Sequence, residues 1–228
     1  HSALRFFVMG DDGANHLCKP NEEQISRMKS ILEEALCAGA LGISTSRTTK
    51  HKSADGNLVP SLNADDKELA GIAEALKNTK KGLLQCNSDR GPGEMELLIQ
   101  AAKHSGQPLS VLLIQYNDFP DRWRDTLNHI SYANKNGIIT TGQVGSRPIG
   151  VLMGFNTSVN PFSSHEAWKK IKHLSNKERN NIIKNDINIR NSLINDTPDN
   201  AHIKWIEQTF SLTYLLKEPL NYEPTKEM

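Results

Sequence analysis

The chain is poor in the patterns that announce a function most readily. Only three cysteines occur in 228 residues, Cys18, Cys37 and Cys86, and none is spaced as CxxC. An odd, scattered set excludes a disulfide framework and a cysteine-rich zinc knuckle, and a reducing cytoplasm is the expected location. Charge of one sign is lacking too: 27 Lys and Arg stand against 26 Asp and Glu, a formal net charge of +1. That balance gives no drive toward nucleic acid or an anionic membrane, so neither is an expected partner. No apolar run approaches the ~20 residues that span a bilayer. The opening HSALRFFVMG has neither a basic n-region nor a cleavage site, so no signal peptide is expected. HxH, HExxH, GxGxxG and GxxxxGK are absent, so neither a metal site nor a phosphate loop can be read directly.

What is present is an alternation of short apolar runs and amphipathic stretches. LRFFVMG (4–10) is apolar and β-leaning, and predicts a strand. Asn21 with Gln24 predicts a capped helix start, and Ile25, Met28, Leu32, Ala35 and Leu36 follow at helical spacing up to Gly39. LGIST (41–45) predicts the next strand. Asn63 and Asp66 open a helix carrying Leu69, Ile72, Ala73 and Leu76, and GLLQCN (82–87) is a strand. A helix over 94–105 stops at Gly106, and PLSVLLIQYN (108–117) is a strand. A helix over 121–136 carries Leu127 and Ile130, with Trp123 as its expected core anchor, and IITTGQVG (138–145) is a strand. Strands alternating with helices predict βαβ units and a parallel sheet. After Gly145 the rhythm changes. Residues 157–198 read as a helical insertion of two helices, and HIKWIEQTFSLTYLL (202–216) has β-leaning patches expected to resume the sheet.

The strands lose their apolar character at their C-terminal ends: Ser44 to Arg47, Gln85 with Asn87, Gln115 with Asn117, and Gln143 with Arg147. In a parallel barrel those ends converge on one mouth, where active sites are built. Polar loop ends are ordinary, but a Gln after three successive apolar stretches is less so. Arg47 could clamp a carboxylate with two parallel hydrogen bonds, or staple a loop through an ion pair. His51 could be a base, a ligand or an oxyanion donor, or a solvated loop histidine between Lys50 and Lys52.

HSALRFFVMG, EALCAGALGISTSRTTKHKSADG, PDRWRDTLNHI, GQVGSRPIGVLMGF and NPFSSHEAW together resemble the amidohydrolase-3 family, which includes the N-acyl-D-amino-acid deacylases. The resemblance runs through nearly the whole chain and is strongest at AGALGISTSRT. It implies an α/β fold, a parallel (β/α) TIM barrel of the metal-dependent hydrolase type, incomplete in this chain. LGIST would be about the fourth strand, and GLLQC, LSVLLIQ and IITTGQV the fifth to seventh. The first strand, with HxH metal ligands, would precede His1, and the eighth, with the catalytic aspartate, would follow Met228. By that likeness residues 1–228 form the central part of one barrel domain, inactive alone.

The implied activity is hydrolysis of C–N bonds, deacylating N-acyl (D-)amino acids or related amides by activated water. His51 and Arg47 would be catalytic. Ser44, Ser46, Gln85, Gln115, Gln143 and Arg147 would line the pocket for a small-molecule substrate. A divalent metal, by the resemblance zinc, would be held mostly by groups outside this chain. The sequence departs from the family where the deacylases place histidine ligands at the ends of the fifth and sixth strands. Gln85 and Gln115 stand there, and a neutral amide oxygen is a poor substitute for imidazole on zinc. The alternative is a barrel that has lost the two-metal site and is non-catalytic or differently specialised.

Overall fold

The computed structural model describes residues 1–53, 56–89, 91–116, 119–147, 149–157, 160–196, 210–216, 219 and 221–222. Contacts divide the chain into two compact units, His1–Ile149 and Gly150–Met228.

The first unit begins with a helix where a strand is predicted. LRFFVM lies within α1, Ser2–Met9, and Gly10 is its C-cap. Ala3, Leu4, Arg5 and Met9 favour helix and only Val8 is β-branched, so local propensity already leans that way. The deciding group is Arg5, the buried residue of this helix. Its Nη1 donates to Glu68 Oε2 at 2.5 Å and its Nη2 to the Cys18 carbonyl at 2.6 Å. A short α2, Asp11–Ala14, follows. The capping box at Asn21 forms as predicted: Asn21 Oδ1 accepts from the Gln24 amide at 2.8 Å, and Gln24 Oε1 from the Asn21 amide at 2.9 Å. It opens α3, Glu22–Cys37, whose buried face is Met28, Leu32 and Leu36.

Four strands then alternate with three helices: β1 (Ile43–Arg47), α4 (Asp66–Thr79), β2 (Leu84–Ser88), α5 (Glu94–Ser105), β3 (Leu109–Leu112), α6 (Arg122–Lys135) and β4 (Thr140–Gln143). All pairings are parallel and the sheet order is β1-β2-β3-β4, that of the chain. Gly42 leads into β1 at φ 154, where an added Cβ would run into the Leu83 backbone, so only glycine fits this entry. Leu69, Ile72, Ala73 and Leu76 of α4 and Leu98, Ile99 and Ala102 of α5 pack with Ile43, Leu84, Cys86, Leu109 and Val111 in one buried cluster. Each strand thus turns alternate residues to the helices, as a period of two requires.

Two expectations in this unit need correction. The run 108–117 yields only four strand residues. β3 ends where β4 ends, since Leu112 is the last residue with a register partner, Gln143. Trp123 is half-buried, not a core anchor, with the Arg124 guanidinium 4.5 Å from its ring centroid. The buried residues of α6 are Thr126, Ile130 and Ala133, while Leu127 is 41% exposed.

Among the described residues of the second unit, three helices stand where two were expected: α7 (Glu166–Ile171), α8 (Asn176–Asn185) and α9 (Ile187–Asn195). Asp186 splits the predicted second helix. Its backbone is extended (φ −95, ψ 104), and its carboxylate accepts from the amides of Asn188 and Ile189 at 2.9 and 3.1 Å. An Asp that caps the following turn ends the helix before it. Ala167, Trp168, Ile171 and Leu193 form this unit's core, with Phe155 and Phe162 packed against it. Residues 202–209 of the expected return to the sheet lie outside the described residues. Of the remainder, Phe210–Leu212 is a 3-10 turn and 213–216 carry no strand. No helix among the described residues is long and apolar enough to cross a membrane.

Candidate functional site

The register of the sheet sorts the expected site residues onto two faces. Ser44 pairs with Gln85 and Ser46 with Asn87, so these four side chains share the face away from the helices. Gln143 is on that face as well, as register partner of Leu112. Ser44 Oγ donates to Gln85 Oε1, and Gln85 Nε2 donates to Gln143 Oε1 at 3.4 Å. The small Ser110, on β3 between them, leaves Gln85 room to reach across.

His51 joins this face from the loop after β1. Its Nδ1 lies 2.6 Å from Ser46 Oγ and its Nε2 3.2 Å from Asn87 Nδ2. The loop is pinned from below by Asp89, which follows β2. Its carboxylate accepts from Thr48 Oγ1 at 2.5 Å, from the Thr49 amide at 2.8 Å and from Thr49 Oγ1 at 2.9 Å. Partial burial pushes the Asp89 carboxyl up, but the hydrogen bonds from Thr48 and Thr49 and the nearby Lys50 charge outweigh it and hold it below the ordinary value. Lys50 Nζ lies 3.9 Å from the Tyr116 ring centroid. Ser46 is held equally firmly. The fully buried Ser61 donates its Oγ to the Ser46 carbonyl at 2.9 Å and accepts from the Ser46 amide at 3.3 Å.

Arg47 is elsewhere. One residue on from Ser46, it belongs to the helix face, with Ile43 and Thr45. Its Nε and Nη2 both donate to the Glu94 carboxylate, the latter at 3.3 Å, and its Nη1 to the Ala64 carbonyl at 2.5 Å. The guanidinium fork expected to clamp a substrate carboxylate therefore holds a carboxylate of the protein, and the side chain is only 10% exposed. Gln115 lies past the end of β3 and Arg147 past the end of β4, both exposed. Neither shares a strand end with the others, because β3 and β4 stop short. Asn117 lies outside the described residues.

Behind β1 sits a second polar group that sequence reasoning missed. Glu68 Oε1 is 2.7 Å from His1 Nε2, Glu68 Oε2 accepts from Arg5, and His1 Nδ1 is 2.9 Å from Thr45 Oγ1. The side chains of His1, Arg5 and Glu68 are all at most 1% exposed. Burial drives the Glu68 carboxyl above its ordinary value despite Arg5. No short-range pattern links Glu68 to Arg5, which is 63 residues away in the chain. Asn87, by contrast, was legible, since it follows Gln85 by two residues on one strand.

The donor set does not fit the implied metal. The open face offers neutral hydroxyl and amide oxygens with one imidazole, and no group of three His, Cys, Asp or Glu able to hold an ion occurs among the described residues. What the arrangement offers is hydrogen-bond donors and acceptors around a histidine.

No family model and no curated protein matches the chain. Among solved structures, a D-aminoacylase mutant in complex with copper chloride aligns with 62% of this chain and 28% of its own at 22% identity and a TM-score of 0.49. D-aminoacylase with a binuclear metal centre aligns over the same shares at 21% identity and 0.49. D-aminoacylase described as defining a novel subset of amidohydrolases aligns at 21% and 0.48. The chain thus spans 28% of the length of these proteins. A superposition this loose does not establish a shared fold.

Proposed function

We propose that this chain bears part of the active site of an amide hydrolase that cleaves the C–N bond of N-acylated amino acids or related small amides. The observation that supports the reading most is the meeting of Ser44, Ser46, His51, Gln85, Asn87 and Gln143 on one face of the parallel sheet, with Ser46, Asn87 and Gln143 toward the C-terminal ends of their strands, His51 in the loop beyond β1, and Ser44 and Gln85 near the starts of theirs. The resemblance of the sequence to the amidohydrolase-3 family supplies the reaction class, and closure of the sheet into a barrel is part of the same proposal. In this reading His51 moves the proton that activates the attacking oxygen. The amides of Gln85 and Gln143 orient the substrate carbonyl. Arg47 acts through Glu94, fixing the start of α5 and the end of β1 instead of touching the substrate. A metal in the complete enzyme would have to draw its ligands from other residues.

The test is amine release by the full-length protein from a panel of N-acyl-D- and N-acyl-L-amino acids and neutral amides, wild type against His51→Gln. Turnover that falls by about 10²- to 10⁴-fold in the variant is expected. Absence of turnover on the whole panel would overturn the reading. The neutral donor set favours a second reading, a barrel without metal chemistry that binds a small amide and does not cleave it. Saturable binding of these amides, by calorimetry, without amine release would establish that instead.

A further inference from the structure

We infer that Ser46 is a nucleophile, with His51 as its base and Asn87 as the residue that positions the base; this rests on the amide-hydrolase reading above. Three features of the structure carry it. Ser46 Oγ is 2.6 Å from a ring nitrogen of His51, the reach a nucleophile and its base need. The other ring nitrogen is 3.2 Å from a side-chain amide, that of Asn87, so the imidazole is oriented from its far side. And the two contributors are anchored independently: Ser46 by Ser61 across its own backbone, the His51 loop by Asp89. A serine on a solvated loop has no such support. This one is on a strand, on the face that also carries the amide donors Gln85 and Gln143.

The chemistry balances without a co-reactant beyond water. Ser46 Oγ bonds to the amide carbonyl carbon while its proton passes to His51 Nδ1. The side-chain amides of Gln85 and Gln143 are the donors available to the developing oxyanion. Collapse breaks the C–N bond, and the proton on Nδ1 leaves with the amine. Water then attacks the acyl ester, giving its proton to Nδ1. The ester bond breaks, the carboxylic acid departs and the proton returns to Ser46 Oγ. For Nδ1 to accept a proton, the neutral ring must carry its hydrogen on Nε2. The two ends of an amide exchange by a half-turn, and Asn87 with Oδ1 toward Nε2 accepts that hydrogen and holds this tautomer. Asn87 is thus a positioning residue, acting through His51.

The experiment treats the full-length protein with a fluorophosphonate, which phosphonylates activated serines, and locates the adduct by peptide mass spectrometry. Phosphonyl on Ser46, lost in His51→Gln, is expected. Ser46→Ala should lower amide turnover at least about 10³-fold. Asn87→Ala should lower kcat more than KM. Asn87→Asp, which can only accept, should restore the rate and move the acid limb of the pH profile to higher pH, since a carboxylate raises the imidazole pKa; a merely structural Asn87 would leave that limb in place. An unlabelled Ser46 together with wild-type turnover in Ser46→Ala would overturn the inference and leave the hydrolase reading standing. A labelled Ser46 in a protein that cleaves no N-acyl amino acid would support the nucleophile and remove the hydrolase reading.

Discussion

The two faces of β1 are built on opposite terms. On the helix side, Ile43 is packed in the core, Thr45 meets the buried His1, and Arg47 spends its fork on Glu94 and a carbonyl. On the open side, Ser44 and Ser46 bond to an amide and an imidazole that remain at least partly accessible. Five consecutive residues thus serve two purposes, separated only by the pleat. Charge is placed where it is paired and nearly dry, and neutral hydrogen-bonding groups where a ligand could reach. The helix face should therefore carry stability and the open face should carry almost none.

The sharpest way to break that contrast is Glu68→Ala. It removes the partner of both Arg5 and His1, leaving a buried guanidinium uncompensated, and the expected loss is about 3–5 kcal/mol. A urea titration with an unchanged m-value would measure it; a loss below about 1 kcal/mol would show that the cluster is wetter than its burial implies. Glu68→Gln tests the electrostatics. Burial raises the folded-state pKa of Glu68, so the folded form keeps its proton at a pH where the unfolded chain has released it. Its contribution is therefore fully present below the unfolded value of about 4.3 and is lost as pH rises through the folded one. The stability of wild type relative to Glu68→Gln should fall across that window and be flat above it.

Arg47→Lys comes next. Lysine keeps the charge but cannot grip both Glu94 oxygens and the Ala64 carbonyl, and the expected cost is about 1.5–3 kcal/mol. Because the guanidinium is on the helix face, kcat/KM should fall by the same factor for carboxylate-bearing and neutral amides. A selective loss on carboxylate substrates would return Arg47 to the role of clamp.

A smaller effect is expected where the two faces meet, at Asp89. Thr48→Val removes one hydrogen bond to its carboxylate and should cost about 1 kcal/mol at neutral pH. The folded-state pKa of Asp89 is depressed. Its contribution is thus present above the unfolded value of about 3.9 and lost as pH falls through the folded value. The difference between wild type and Thr48→Val should shrink over that acid range in a pH series of chemical melts.

The same contrast explains what the sequence disclosed. The helix start at Asn21 and the stop at Gly106 were legible because a capping box and a glycine stop are local chemistry. Parallel order in chain sequence followed from the alternation of strands and helices. The strand predicted at LRFFVMG failed because the residue that fixes α1 is Arg5, whose partner Glu68 is 63 residues away. Asp186 was missed as a cap because apolar spacing continues through it. The candidate site was half legible. Composition marked the polar strand ends, and Ser44, Ser46, Gln85, Gln143 and His51 do meet. Taking Ser44 to Arg47 as one cluster ignored the period of two, which sends Arg47 to the other side. Gln115 was misplaced because the length of β3 is set by its neighbour β4 and not by its own apolar run.

The smallest stability change belongs to the open face, at Gln85 and Gln143. The Gln85–Gln143 hydrogen bond is long, at 3.4 Å, and Gln143 is exposed, so water replaces either amide at little cost. Gln85→Ala and Gln143→Ala should each stay within about 0.5 kcal/mol of wild type. Under the proposed function they should still impair catalysis, because both amides then act on the substrate carbonyl and not on the fold. The double variant separates the two roles. If the glutamines matter only as a pair bonded to each other, the loss in kcat/KM of the double variant equals that of either single one. If each donates to the substrate, the logarithmic losses add. A fall in stability well beyond 0.5 kcal/mol in either single variant would mean that the open face is covered and packed in the folded protein, and the division of labour between the two sides of β1 would be wrong.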